Sequence, residues 1–538
     1  MRKTEMSNQR VVILGGGFAG VYTAMKLERL LRNRQDVEVV LVNRENYLVF
    51  QPLLAEVISG NIGLLDTISP ICRLAPRTKL YEREVESVDL ANQTVTLSPG
   101  FEANATVLHY DHIVVALGNV TDFRKVPGLH DHAFPFKYLG DALRLRDHLI
   151  RVLGEAVTTT DPELRKQLLT FVVGGGGFSG VEVCAELNDF VRRAGQKYFH
   201  INPNDIRTVL VHSEDRILER EMPERLGMYA QEVLRKRGVE FIFNLRLETG
   251  TPRCAVLHDG QRIPTRTLIS SVPSSPNPIV VALDVPQEHG RIKTDSKMQI
   301  ESFDNAWSLG DCALVPNPSG EGFCPPTAQF AIRQAATCAR NIVATMDGQA
   351  QKDFRFKELG KMASLGHRRA IAQLFGWINL EGFLAWLLWR AAYWAKLPGV
   401  DRKIKVGVSW LLDLVCGPEI VQTKVDVKPA MSESHFEPGE MVLHKADRAD
   451  RLFIIINGKA ELSYGDENGE AAKSVELTAG DVFGVAEILE KTSVQANVRC
   501  IEPLTVITYN KSELEPLLSL PVIRSSFEQL RYRTPQMD

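Results

Sequence analysis

Short apolar runs alternate with helical periodicity in the first part of the chain. Residues 11–14 form an apolar run that ends in glycines, which is typical of a buried parallel strand. Residues 18–31 repeat apolar positions at helical spacing, and residues 37–42 form a second apolar run. This order predicts a β-α-β unit of about 30 residues.

The same order returns further along the chain. Residues 169–173, 181–190 and 206–212 predict a second strand–helix–strand unit, again with glycines after its first strand. Residues 111–118 predict one more buried strand just before it. The repetition indicates an internal duplication at the scale of a domain, not a short solenoid repeat.

Two later segments differ in character. Residues 375–410 hold five of the six tryptophans. Residues 435–518 form short β-rich runs separated by turn residues such as Asn457-Gly458, which predicts a small all-β domain. Residues 424–434 are interpreted as a linker.

Composition and charge narrow the classes of protein. A chain of 538 residues with 44% hydrophobic and 24% charged residues fits roughly three to four globular domains. The net charge of −3 argues against a dedicated nucleic-acid binder. The cysteines lack CxxC or zinc-type spacing, which favours buried thiols in a reducing compartment and predicts no metal site. No signal peptide and no transmembrane span are expected.

Both β-α-β units carry glycines in the spacing G-x-G-x-x-G, at Gly15, Gly17 and Gly20 and at Gly175, Gly177 and Gly180. In such a loop the glycines permit a tight turn, the approach of a pyrophosphate and close packing of helix on strand. The helix N-terminus adds unpaired N–H groups for the phosphates. The alternative is a pair of ordinary tight turns. Two loops predict two dinucleotides, as hydride exchange between a flavin and a nicotinamide requires.

The acidic residue expected after the second strand of each unit is missing. Asn43 stands there in the first unit, where it can still hydrogen-bond a ribose hydroxyl. In the second unit His212 stands there, with Ser213 and Arg216 nearby. The repulsion that a carboxylate would exert on the 2′-phosphate of NADPH is therefore removed. NADH is favoured over NADPH, with the choice left open; His212 could also merely cap its strand.

The sequence at this point resembles the type II NADH dehydrogenases, single-chain flavoprotein NADH:quinone oxidoreductases. The similarity covers about residues 10–422. Its stretches are GGGFAG (15–20), NYLVFQPLLAEVISG (46–60), YDHIVVALG (110–118), VVGGGGFSGVEVCAEL (172–187), AWSLGDCALVP (306–316), CPPTAQFAIRQ (324–334) and a segment from SLGHRRAIAQLFG to GVDRKIKV (364–406).

The resemblance implies roles for individual residues. The first glycine loop, Gly118 and Asp311 would hold FAD, and the second loop would face NADH. Glu182 would lie near the meeting point of nicotinamide and quinone, although a carboxylate there also complements a helix dipole. Gln329 of the Ala328-Gln329 pair would contact quinone, or could satisfy local backbone groups. The family has a second glutamine in the quinone site; in this chain it is replaced by Arg333 or carried by Gln334. Asp311 could instead be only a turn former.

The resemblance also implies a mechanism without cysteines. Flavin disulfide reductases and sulfide:quinone oxidoreductases need paired cysteines beside the flavin, and Cys312 and Cys324 are interpreted as packing residues. NADH would give a hydride to the flavin, and a quinone would take two electrons and two protons. No ion pumping is implied.

Residues 375–410 interleave aromatic and aliphatic side chains with flanking basic residues, namely Arg390, Lys396, Arg402, Lys403 and Lys405. Trp and Tyr prefer the headgroup level of a bilayer, and Lys and Arg attract anionic lipids. The pattern predicts a monotopic helix on the cytoplasmic face of the cell membrane. The alternatives are a core helix or a homodimer interface, and the family allows a homodimer.

Residues 435–518 resemble a cyclic-nucleotide-binding domain, through PGEMVLHKADRADRLFIIINGKAEL (438–462) and AGDVFGVAEILEKTSVQANV (479–498). Val485 replaces the glutamate for the ribose, and Val494 replaces the arginine for the cyclic phosphate. The missing arginine removes a charge-assisted pair of roughly 1.5–3 kcal/mol. We therefore expect a structural, docking or differently liganded module, or a support for a dimer.

The predicted fold is α/β, with two Rossmann-like domains, a membrane-contact helical region and a β-roll. The predicted divisions are 8–130 with 286–360 for FAD, 131–285 for NAD(P)H, 361–424 for membrane contact, 425–433 as linker and 434–520 for the β-roll. The favoured function is a non-pumping NADH:quinone oxidoreductase. The alternative is a redox-sensing signalling protein whose β-roll reads out the flavin state.

Overall fold

The computed structural model describes residues 9–101, 105–121, 126–271, 275–413, 416, 419–422, 431–447, 451–464, 473–485, 488 and 493–510. Residue 8, most of the predicted linker and the end of the predicted β-roll therefore lie outside the described residues.

The first β-α-β unit forms the centre of a five-stranded parallel sheet. In spatial order its strands are Ala306–Ser308, His112–Val115, Gln9–Leu14, Val37–Asn43 and Lys79–Glu82. Val11 to Leu14 have no exposed surface, because helices and loops cover both faces of the sheet. The helices Phe18–Leu30 and Ala328–Met346 pack together on one face. This confirms the predicted order of strand, helix and strand.

The second unit forms a second five-stranded parallel sheet. Its strands, in spatial order, are Ala133–Phe134, Thr267–Ser270, Thr170–Gly174, Arg207–Val211 and Val239–Ile242. The helix that follows the glycines runs over Phe178–Tyr198 and is longer than the predicted 181–190. Buried residues continue along this helix to Gly195, so its apolar face carries it further than its first turns indicate.

Smaller sheets surround the two parallel ones. Their strands are Val85–Asp89, Thr94–Leu97 and Thr106–His109; Leu247–Gly250, Cys254–Leu257 and Arg262–Pro264; Gln287–Glu288, Arg291–Lys293 and Ala313–Leu314; Gly360–Ser364, Ala370–Leu374 and Ile378–Glu381; Tyr47–Val49 and Ile68–Pro70; and Asn119–Val120 and Ser275–Pro276. The further helices before the C-terminal region are Leu54–Ile58, Ile71–Leu74, Leu129–His132, Leu139–Thr158, Pro162–Leu168, Glu224–Lys236 and Pro278–Val281.

The aromatic segment supplies the strand Ile378–Glu381 of a three-stranded sheet and then forms two helices, Gly382–Lys396 and Val400–Leu412, where a single helix was predicted. Leu397 and Pro398 are buried and end the first helix, since Pro cannot continue it. No helix among the described residues is long and apolar enough to cross a membrane.

Part of the aromatic segment lies in the core, as the alternative of a core helix allowed. Trp386, Trp389 and Trp410 are no more than 8% exposed and join the core of the first sheet. Two of the basic residues predicted to flank the membrane are buried as well. Arg390 and Arg402 are 8% and 9% exposed; Arg390 lies beside the buried carboxylates of Glu56 and Asp413, and Arg402 lies 3.8 Å from the partly exposed Asp401.

The C-terminal residues form the predicted all-β domain. Its strands are Met431–Phe436, Met441–Leu443, Arg451–Tyr464, Lys473–Leu477, Val482–Phe483 and Asn497–Asn510. The long strands Arg451–Tyr464 and Asn497–Asn510 pair antiparallel and bend at irregular registers, as a rolled sheet requires. The first strand begins at Met431, inside the segment predicted as linker.

Candidate functional site

The first glycine loop joins the strand Gln9–Leu14 to the helix Phe18–Leu30. Gly15 has φ +107°, and a Cβ there would lie 2.3 Å from the carbonyl oxygen of Ala116. A Cβ on Gly20 would lie 1.9 Å from the carbonyl oxygen of Gly15. Gly17 faces open space, with nothing within 4 Å of its Cβ position. The loop is closed toward the protein and open where a phosphate would bind the helix N-terminus.

The second loop repeats this geometry between the strand Thr170–Gly174 and the helix Phe178–Tyr198. Gly175 has φ +108°, and a Cβ on Gly180 would lie 2.0 Å from the carbonyl oxygen of Gly175. The Cβ position of Gly177 lies 2.9 Å from the carboxylate of Glu221. Burial raises the pKa of Glu221. A pyrophosphate at this loop requires Glu221 to rotate away or to hold a proton, because two anions repel each other at this distance.

Asn43 and His212 play the same part in the two units. Asn43 Oδ1 accepts a hydrogen bond from the Gly16 N–H at 2.8 Å, and His212 Nδ1 accepts one from the Gly176 N–H at 3.1 Å. Because His212 accepts at Nδ1, its proton lies on Nε2, and burial lowers the pKa of the ring. Both side chains hold a glycine loop in place.

A carboxylate that the sequence pattern missed lies beside Asn43. Asn43 Nδ2 donates to the backbone carbonyl of Glu45 at 2.7 Å and lies 3.4 Å from its carboxylate. Glu45 follows the strand by two residues, whereas the pattern places the acid at the strand's last position. Glu45 is thus a second candidate for the ribose contact predicted for Asn43.

Arg216 does not face the second loop in the way its position in the sequence indicates. Its guanidinium donates to the backbone carbonyls of Ile217, Leu218, Glu219 and Met222. Arg220 instead pairs with Glu214. The carboxylates of Glu214 and Glu219 lie close enough to His212 to oppose the lowering of its pKa. The surroundings of His212 are therefore more acidic than the sequence suggests.

Asp311 lies in the single turn Gly310–Cys312, enclosed near Lys137 and Arg291. Burial raises the pKa of the Asp311 carboxyl, and the two cations oppose this rise. Gly310 has φ +76°, and a Cβ there would lie 2.9 Å from that of Ala19 at the start of the first helix. The fold therefore brings Asp311 beside the first glycine loop.

Two further features leave room for a cofactor on this side. Gly118 follows the strand His112–Val115 with φ +63°, and nothing lies within 4 Å of its Cβ position. Thr327 precedes the helix Ala328–Met346, and its hydroxyl is buried with no hydrogen-bond partner. A buried polar atom normally has a partner, so an unpaired hydroxyl here fits a missing ligand. Together these features fit an FAD: the open space beside the glycines leaves room for it, and Asp311 and Thr327 can hydrogen-bond to it.

The two candidate quinone glutamines differ in their surroundings. Gln329 Nε2 donates to the Glu358 carboxylate at 3.1 Å and to the Gly360 carbonyl at 3.3 Å. Gln334 is 3% exposed and accepts from the Gly310 N–H at 2.9 Å. Arg333 stacks over Phe356. Gln334 therefore supports the Asp311 turn, and only Gln329 keeps a position near the partly exposed surface.

Glu182 is the fifth residue of the helix Phe178–Tyr198. Its Oε1 accepts from the Ser364 N–H at 2.9 Å. Burial raises the pKa of Glu182 to about 8. The strand Gly360–Ser364, which spans roughly 13 Å, contacts Gln329 at its first residue and Glu182 at its last.

Cys312 and Cys324 are free thiols, 1% and 4% exposed. Cys312 Sγ donates to the Val115 carbonyl at 3.4 Å, and burial raises the pKa of both thiols. A neutral buried thiol is a poor nucleophile, which agrees with their predicted packing role.

Two described positions of the β-roll carry apolar side chains where the resemblance to a cyclic-nucleotide-binding domain calls for polar ones. Val485 and Val494 are 2% and 4% exposed and pack with Leu452, Val482 and Ile488 in one apolar cluster. Apolar side chains therefore occupy the two positions where a ribose and a cyclic phosphate would need a carboxylate and a guanidinium.

The β-roll instead contacts the second Rossmann-like unit. Glu440 accepts hydrogen bonds from the Thr251 hydroxyl at 2.9 Å and from Cys254 Sγ at 3.3 Å. The His435 N–H donates to His132 Nε2 at 3.1 Å. Burial lowers the pKa of His132 to about 3, so the ring remains neutral and can accept. The contact joins the module to the small sheet beside the predicted NADH site.

Profiles of three protein families match the chain. The pyridine nucleotide-disulphide oxidoreductase family matches residues 9–338. The NDH2 C-terminal domain matches residues 359–418, and the cyclic nucleotide-binding domain matches residues 433–520. The first profile spans more than half of the chain.

Individual relatives agree with these profiles. The chain is 30% identical to the type II NADH:quinone oxidoreductase NdhA of Mycobacterium tuberculosis, over 74% of this chain and 86% of that protein. It is 29% identical to the internal alternative NAD(P)H-ubiquinone oxidoreductase A1 of Solanum tuberosum, over 76% of this chain and 87% of that protein. NDH2 from Plasmodium falciparum in complex with NADH has the same fold, with a TM-score of 0.71 at 17% identity over 77% of this chain and all of that one. The chain therefore belongs to the pyridine nucleotide-disulphide oxidoreductase family and, within it, to the type II NADH:quinone oxidoreductases, which pass electrons from NADH to a quinone.

Proposed function

We propose that the chain binds FAD at its first glycine loop and NADH at its second, and reduces a membrane quinone between Glu182 and Gln329. The observation that carries this proposal is the matched pair of loops, each closed to side chains on its protein side. FAD, when bound, accepts a hydride from NADH and passes two electrons to the quinone.

The residues of the chain would divide the work between them. Asp311 and Thr327 would accept and donate hydrogen bonds to FAD, and Gly17 and Gly118 would give it room. Glu182 would hold a proton at its carboxyl oxygen at neutral pH, because burial raises its pKa to about 8. Gln329 would orient the quinone.

Steady-state and rapid-mixing assays of the yellow holoenzyme test this function. NADH should bleach the flavin, and a soluble quinone analogue should restore its colour at a rate that accounts for turnover. Bleaching by NADH without quinone-dependent recovery would leave only the alternative, a redox sensor. The contact between the β-roll and the second Rossmann-like unit is the observation that keeps this alternative open.

The exposed faces of the two C-terminal helices support contact with a membrane. Leu384, Val400, Ile404 and Leu411 are each at least 62% exposed. Such a patch of large apolar side chains indicates a lipid or protein interface. We assign it to the membrane surface from which the quinone comes, with attachment at the cytoplasmic face. A homodimer through the same region stays a prediction.

We expect the enzyme to prefer NADH. The carboxylates of Glu214 and Glu219 near His212 would repel a 2′-phosphate, and Arg216 is occupied by backbone carbonyls. kcat/KM should be about 100-fold higher with NADH than with NADPH, which corresponds to about 2.7 kcal/mol. Glu214→Gln should narrow this ratio, whereas Glu232→Gln should leave it unchanged, because Glu232 is exposed and pairs with Lys236 on its own helix. Equal kcat/KM values for the two nucleotides would contradict this prediction.

We propose that the β-roll is a docking module that does not bind cyclic nucleotides. Glu440→Ala should weaken its contact with the small sheet by about 1–3 kcal/mol, because the Thr251 hydroxyl loses its acceptor. The loss should appear as faster proteolysis between the module and the rest of the chain. The control Glu476→Ala removes an exposed carboxylate that pairs with Lys459 within the module. Equal cleavage rates for both variants, or heat of binding with cyclic AMP, would overturn this assignment.

A further inference from the structure

Glu182 and two fully buried glutamates, Glu56 and Glu186, lie together behind the predicted quinone site. Glu182 and Glu186 are four residues apart on the helix Phe178–Tyr198, so they share one face of it. Glu56 comes from the short helix Leu54–Ile58, which packs against that face. Glu56 and Glu186 are each 2% exposed. Carboxylates this deeply buried carry a large desolvation cost unless they are paired or protonated.

Ser364 connects the two glutamates of the helix. Its N–H donates to Glu182 Oε1 at 2.9 Å, and its hydroxyl lies 3.4 Å from Glu186 Oε1. Asn61 Nδ2 reaches the other oxygen of Glu186 at 3.4 Å, while Asn61 Oδ1 is buried without a partner. A protonated Glu186 could supply the missing donor after the Asn61 amide turns over. As placed, Ser364 and Asn61 both donate to Glu186, and only a turned Asn61 amide would accept from a protonated Glu186.

Arg390 lies beside the carboxylates of this cluster. Arg390 Nη2 lies 3.7 Å from Glu56 Oε1 and 3.6 Å from Asp413 Oδ2, and its guanidinium is stacked between the rings of Trp386 and Trp410. Glu56 Oε2 also accepts from Trp410 Nε1 at 2.6 Å. Glu56 is thus the glutamate best provided with partners for a negative charge.

The carboxylates of the cluster outnumber the one cation described beside them, Arg390. Protons on Glu182 and Glu186 remove this excess of negative charge. Burial, together with the nearby Glu56, raises the pKa of each of these groups to about 8. The titratable and charged groups that face the pair are Glu56 from the short helix, Asp189 from the same helix, Arg390 and Tyr393 from the helix Gly382–Lys396, and Asp413 beyond the last helix.

We propose that Glu186 is a proton reserve for quinone reduction, which returns a proton to Glu182 after Glu182 has given one to the quinone. This rests on the proposed function. Forming a quinol takes two electrons and two protons; NADH supplies both electrons and one proton as a hydride, so one proton comes from solvent in each turnover. Glu186 holds that proton in advance, Ser364 and Asn61 keep it within reach of Glu182, and solvent refills Glu186 before the next turnover.

The test is the variant Glu186→Gln, examined as the yellow holoenzyme. Flavin reduction by NADH should be unchanged, whereas flavin reoxidation by a soluble quinone should slow about 10- to 100-fold, because Glu182 is no longer resupplied with a proton. Ser364→Ala keeps the backbone N–H to Glu182 and removes the hydroxyl, so it should slow reoxidation in the same direction. Glu232→Gln, a surface change, should leave both rates unchanged.

A readout that does not depend on turnover completes the test. Titrated from pH 7 to 9, the Glu186→Gln holoenzyme should release about one proton fewer than the wild type. An equal number of released protons, or reoxidation as fast as in the wild type, overturns the proposal. If the wild-type flavin is not reoxidised by quinone at all, the proposed function has failed instead, and the proton count shows separately whether Glu186 holds a proton.

Discussion

Gly20→Val should yield a colourless protein, whereas Gly180→Val should yield a yellow protein that NADH cannot bleach. In the first loop a Cβ on residue 20 would lie 1.9 Å from the carbonyl oxygen of Gly15, and in the second a Cβ on residue 180 would lie 2.0 Å from that of Gly175. Each change pushes the helix N-terminus away from its loop and so removes one phosphate site. The flavin absorbance of the purified proteins and its bleaching by NADH measure the two effects.

The pair of variants assigns the loops because each serves as the control for the other. Gly140→Ala is a further control, since nothing lies within 4 Å of the Cβ position of this helical glycine; it should keep both flavin and bleaching. Retention of flavin in Gly20→Val, together with its loss in Gly180→Val, would reverse the assignment. Retention of both properties in both variants would contradict the role of the loops altogether.

The sequence predicted the parts of the fold whose cause is local. Buried β-branched runs followed by glycines specify parallel strands and their loops, and the central strands of both sheets were predicted in this way, whereas the outer strands were not. The roles of Asn43 and Arg216 could not be predicted, because each depends on which backbone atoms the folded loop brings near. Asn43 reaches the N–H of Gly16, and Arg216 reaches four carbonyls of its own turn.

The buried glutamates show the same limit. Glu182 and Glu186 both stand in the quoted stretch VVGGGGFSGVEVCAEL, but Glu56 and Arg390 are far away in sequence, and only the fold brings them into one cluster. The aromatic segment misled for a related reason. Trp and Leu residues occur in lipid-facing surfaces and in cores alike, so composition cannot separate Trp377, which is 74% exposed, from Trp389, which is 1% exposed.

The exposed side chains of that segment give the second large effect. Leu384→Glu combined with Ile404→Glu should release the enzyme from lipid vesicles, because these side chains are 68% and 62% exposed on neighbouring helices. When the apolar face enters the bilayer, each new carboxylate would have to enter with it. Moving a charge out of water costs about 2.5 kcal/mol or more at the centre of a bilayer and less at its surface. We expect vesicle binding to fall about 100-fold, as measured by co-sedimentation with anionic lipid.

A soluble quinone analogue separates this effect from damage to the active site. It reaches the protein without lipid, so the double variant should keep its turnover with the analogue and lose turnover only with a quinone confined to vesicles. The control Val281→Glu places a charge on a side chain that is 53% exposed in another part of the molecule, and it should leave vesicle binding unchanged. If the double variant sediments with vesicles as the wild type does, the apolar face meets a protein partner or a second copy of the chain, because a surface so apolar requires some cover.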